Sequence, residues 1–86
     1  MKTPLLLMAQ YDSRAVIPVD LVVRDYFSHL SVDVFVRKVS AGAIKIPLIR
    51  IEPGSQKCAK GIALQDLADY IDARRSAAVK ETEQMG

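Results

Sequence analysis

Few side chains here can do covalent chemistry. The chain has one histidine, His29, and one cysteine, Cys58. A histidine with no second His or Cys at ligand spacing does not make a zinc site. A Cys–His nucleophilic pair is equally unexpected from one cysteine and one histidine. No enzyme activity, cofactor or metal is therefore expected. What does gather is positive charge. Residues 37–60 carry Arg37, Lys38, Lys45, Arg50, Lys57 and Lys60 against Glu52 alone, while residues 1–36 and 61–86 each hold more acids than bases. The net charge of the whole chain is only +2. So local a surplus is the electrostatic footprint of a face that binds a polyanion. The competing account is a solvated loop whose lysines serve solubility.

The elements that must position these bases follow from spacing. Thr3-Pro4 suits a helix start, with Thr as N-cap and Pro in the first turn. Residues 4–10 then read as a short apolar helix or as a buried strand, and periodicity leaves both open. Asp12-Ser13-Arg14 is a turn, and "AVIP" is a short extended piece. Pro18 opens a helix over 18–27, with Val22/Tyr26 and Val23/Phe27 on its apolar side and Asp20, Arg24 and Asp25 facing away. A second helix over 31–41 has Ser31 as N-cap, Asp33 in its first turn and Gly42 to end it. Phe35 and Val39 point inward with Val32 or Val36, which leaves Asp33, Arg37 and Lys38 outside. "IKIPLIRIE" reads as a strand with Ile44, Ile46 and Leu48 inward, and Pro47 confines it to an edge. "PGSQKCAKG" is a polar turn, "GIAL" a return strand, and an amphipathic helix over about 65–80 follows, with Leu67 and Ile71 in the core. The fold class is α+β, mainly helical. Two helices across a tight break, then a basic hairpin, then a helix make a small winged helix-turn-helix with an N-terminal apolar segment.

Eighty-six residues form one domain, 1–86, with residues 81–86 expected as a frayed tail. The run Leu5–Ala9 is too short for a membrane span or a secretory leader, and a single cysteine fits a reducing compartment. A bacterial cytoplasmic, nucleoid-associated location without membrane contact is expected.

The segments "LLLMAQY", "IPVDLVVRDYF", "RKVSAG", "SQK" and "DLADYIDAR", in this order and spacing, resemble the pyocin activator protein (PrtN) family. The stretch "RKVSAGAIKIPLIRI" with "LQDLADYIDARR" is similar more broadly to the AlpA and excisionase type of phage regulator, winged helices of MerR-like form. The PrtN resemblance runs from about residue 4 to about residue 80. It implies a transcriptional activator of bacteriocin or prophage-like genes, switched on in DNA-damage responses, that binds double-stranded promoter DNA and contacts RNA polymerase. By position, residues 31–41 would be the reading helix, 45–62 the wing and 53–60 its tip.

On that frame each candidate takes a role. Arg37 can grip guanine O6 and N7 in bidentate fashion, or pair internally with Asp25. Lys38 suits a phosphate, and Ser40 can donate to one. Asp33 shares their outer face. Lys45 and Arg50 on the wing strand neutralise phosphates. Ser55, Gln56, Lys57 and Lys60 form a tip that can enter the minor groove or lie along the backbone. Cys58 is a passive thiol rather than a redox sensor, and His29 a plain turn residue. The dense apolar run at 5–8 either closes the core or leaves a surface for a homodimer or higher self-association. Two other classes stay open: an architectural DNA-bending excision factor, and a protein-interaction adaptor that does not bind DNA.

Overall fold

The segment that periodicity left open, residues 4–10, is helical in the computed structural model, which describes residues 3–51 and 59–85. Helix α1 spans Thr3–Gln10 and turns Leu7 into the core, as does Tyr11 one turn later, while Leu5, Leu6 and Met8 stay exposed. Thr3, expected as a cap before the helix, is its first residue. Its buried hydroxyl donates to Asp72 Oδ1 at 2.6 Å, across 69 residues of sequence. The turn that follows holds Asp12 and Ser13 at positive φ, 54° and 59°. Asp is among the few non-glycine residues enriched in that region.

Strand β1 (Val16–Pro18) leads without a loop into α2 (Val19–Tyr26), and α3 spans Val32–Ser40. After α3 come β2 (Ile49–Arg50), β3 (Lys60–Ala63) and α4 (Leu64–Met85). The expected end of the last helix near residue 80 is therefore passed by several residues. The sheet is antiparallel, in the order β1-β3-β2. "AVIP", read as a lone extended piece, is thus the third strand, with Ile17 opposite Ile62 and both fully buried. Gly61 lies between Pro18 and Ile49, and a Cβ there would come 2.5 Å from Val16 Cγ1 and 2.9 Å from the Ile17 carbonyl oxygen. Only glycine lets the strands approach so closely.

The strand read over "IKIPLIRIE" is much shorter than expected. Residues 43–48 are irregular, because Ile46 N–H folds back onto the Ile44 carbonyl at 3.0 Å and Pro47 has no N–H to offer a ladder. The inward alternation survives all the same: Ile44 and Ile46 are buried and Leu48 half-buried. Burial of apolar side chains, not strand pairing, holds this segment down.

The core joins Leu7, Tyr11, Ile17, Val22, Val23, Phe27, Phe35, Ile44, Ile46, Ile62, Leu64, Leu67 and Ala68. Phe35 lies at its centre, fully buried, with its ring 4.7 Å from that of Phe27. Among the described residues no helix is long and apolar enough to cross a membrane.

Candidate nucleic-acid interface

Helix α3 is fixed at both ends by local chemistry. Ser31 Oγ accepts the Val34 N–H at 3.2 Å, satisfying one of the donors that the first turn leaves without a partner. At the other end Gly42 takes φ +80°, and its N–H donates to the Val39 carbonyl while that of Ala43 donates to Lys38. This double bond pattern around a left-handed residue is a Schellman motif, and it stops the helix at Ser40. Phe35 holds one face in the core, with Val32, Val36 and Val39 half-buried beside it. Asp33, Arg37 and Ser40, spaced four and three apart, and Lys38 next to them, are exposed on the other side.

Arg37 and Lys38 make no salt bridge or side-chain hydrogen bond with the described residues. Pairing of Arg37 with Asp25, the internal alternative, is not what the fold does. Asp25, expected to face away, turns toward α1. There it accepts Tyr11 Oη at 2.7 Å and Gln10 Nε2 at 3.4 Å, and it meets Arg24 through Nε at 2.9 Å and Nη2 at 3.1 Å. Tyr26 Oη closes the cluster by donating to Gln10 Oε1 at 2.8 Å. The Arg24 guanidinium first, and then the Tyr11 hydroxyl, hold the Asp25 carboxyl down at about 2. Burial, reinforced by Asp25, raises the Tyr11 phenol above its ordinary value.

The other candidates divide by position. Lys45 is exposed, since Ile44 and Ile46 on either side turn inward. Arg50 and Lys60 are directly opposed across β2 and β3. Like charges face to face weaken a ladder, so placing them there is a cost to the sheet. Lys60 is half-buried and engaged in its own contacts. Ser55, Gln56 and Lys57, with Cys58, lie outside the described residues. His29 is exposed in the turn after α2, its ring 6.3 Å from Phe27.

One base was missed from sequence. Arg74 of α4 lines a groove of about 290 Å³ with Lys45, Ala43, Tyr70 and Ala73. The net acidity of residues 61–86 hid it. The available signal was its spacing of four from Tyr70, which puts both on one helix face.

The family model described as pyocin activator protein PrtN matches residues 3–78, from the first residue of α1 into the second half of α4. No curated protein and no solved structure matches the chain. With the family model covering well over half of the chain, the chain belongs to the pyocin activator protein PrtN family.

Proposed function

We propose that this protein is a sequence-specific DNA-binding regulator that activates pyocin-type genes, using the helix pair and basic hairpin as a winged helix-turn-helix. The observation that carries the proposal is the outer face of α3, where Arg37 and Lys38 are exposed with no internal ion pair among the described residues. The order helix, strand, two helices, two-stranded hairpin and helix supports it, as does family membership, which brings the activator role. An α-helix such as α3 is about 10–12 Å across with its side chains, which suits a major groove about 12 Å wide.

In this reading α3 lies in the major groove. Arg37 reads a guanine, while Lys38, Ser40 and Lys45 fix the register on phosphates. Arg50 and Lys60 on the hairpin strands follow the backbone, and Ser55, Gln56 and Lys57, which lie between the two strands in sequence, add further phosphate or minor-groove contacts. The fixed ends of α3 give the side chains a rigid base, which direct readout requires.

The test is a titration of promoter and random double-stranded DNA over a series of salt concentrations. The expected result is binding that weakens linearly in log–log form with salt, with a slope of about −0.9 per phosphate neutralised, and a preference for promoter DNA. Absence of binding at low salt would overturn the proposal. Transcription from a promoter template, compared with DNA curvature in the complex, separates activation from architectural bending.

A further inference from the structure

Helix α4 is long for the body it packs on. Its 22 residues extend about 33 Å at 1.5 Å per residue, in a molecule 48 × 28 × 19 Å overall. Its first half buries Leu64, Leu67 and Ala68, with Ile71 partly covered, and Thr3 of α1 bonds Asp72. Beyond Asp72 the same stripe continues at helical spacing through Arg75, Ala78, Val79 and Thr82. These four, with Glu83, line an open groove of about 280 Å³. Val79 is 39% exposed. The Thr82 hydroxyl is already satisfied by the Ala78 carbonyl at 3.1 Å, so burying it would leave no donor without a partner.

The charges along this face are self-complementary in one orientation only. Arg75 and Glu83 lie four residues either side of Val79. In an antiparallel pair of α4 helices with a twofold axis at Val79, Arg75 faces the partner's Glu83, and Glu83 faces the partner's Arg75. A parallel pair would set Arg75 against Arg75 and Glu83 against Glu83. Like charges in register disfavour that arrangement. The small Ala78 beside the axis allows close approach of the helices. Such an interface is isologous, with the same patch on both subunits, and so closes at a dimer.

We infer that the second half of α4 is an antiparallel homodimer interface centred on Val79, with the Arg75–Glu83 pair setting its direction. Sequence reasoning looked for self-association at residues 5–8. Leu5, Leu6 and Met8 are indeed exposed, but they carry no charged pair that would fix a register. The inference does not depend on DNA binding.

The experiment is sedimentation of the full chain from roughly 1 to 100 µM, with helix content followed by circular dichroism. A concentration-dependent dimer is expected. Val79→Glu and Arg75→Glu should each raise its dissociation constant about tenfold or more without loss of helix. The double reversal Arg75→Glu/Glu83→Arg should return it to within about threefold of the starting value, the coupling expected of residues in contact. A chain that stays monomeric across the range would overturn the inference, as would a dimer indifferent to Val79→Glu. Failure of the double reversal to improve on Arg75→Glu would overturn the antiparallel pairing.

Discussion

Arg24 of α2 and Arg37 of α3 each have a carboxylate close by in sequence, Asp25 next door and Asp33 one helical turn before. In α2 the pair closes: Asp25 is pinned by Gln10 at the end of α1 and by Tyr11 just after it, and Arg24 meets it at 2.9 Å. In α3 it does not close. Among the described residues Asp33 has no second element to hold it, and an exposed pair at that spacing is worth only about 0.2–0.5 kcal/mol, too little to immobilise the Arg37 side chain. Charges anchored from a second element hold the fold together. Charges left on one exposed helix face remain available to a ligand.

The largest effect that breaks this comparison comes from the floor beneath both regions. Phe35→Ala empties the centre of the core and should lower stability by about 3–5 kcal/mol, a large share of what so small a domain has. Thermal melts would show it. DNA affinity should fall along with the folded fraction, unlike the effect of a surface change.

Asp25→Asn sharpens the other side. It removes the charge that Arg24 and Tyr11 both engage, and should lower the melting temperature by less than Phe35→Ala does while leaving the α3 face intact. The pH dependence identifies it. A carboxyl held at about 2 in the fold, against about 3.9 in the unfolded chain, contributes stability that is fully present above pH 4 and is lost as pH falls toward 2. Melts between pH 5 and 2 should therefore fall less steeply in Asp25→Asn than in the natural chain.

Ser31→Ala gives the smallest change. Losing the bond to Val34 N–H should cost about 1 kcal/mol and loosen the first turn of α3, where Asp33 lies. A matched loss in Thr3→Ala would reflect instead the severed bond to Asp72, a contact between helices.

Much of the α2–α3 region was legible because its signals are local. Ser31, Phe35, Val39 and Gly42 lie within a few residues of each other, and capping and periodicity act over that range. The apolar alternation at Ile44, Ile46 and Leu48 was legible as burial but not as irregular chain, since the Ile46–Ile44 backbone bond has no side-chain signature. The partners of Thr3, Asp25 and "AVIP" were not legible at all. Each is decided by an element 14 or more residues away: Tyr11 for Asp25, Asp72 for Thr3 and Ala63 for Val16. The basic surplus was visible in the sequence, but that Asp25 pairs with Tyr11 and Arg24 and not with Arg37 was not.

The central claim, that the bases of α3, unpaired among the described residues, serve DNA binding and not the fold, is tested most directly by Arg37→Ala, with melting temperature and promoter binding measured on the same preparation. The account predicts an unchanged melt and a loss of promoter preference of about 1–3 kcal/mol, or roughly five- to 150-fold. A lowered melting temperature with promoter preference intact would contradict it.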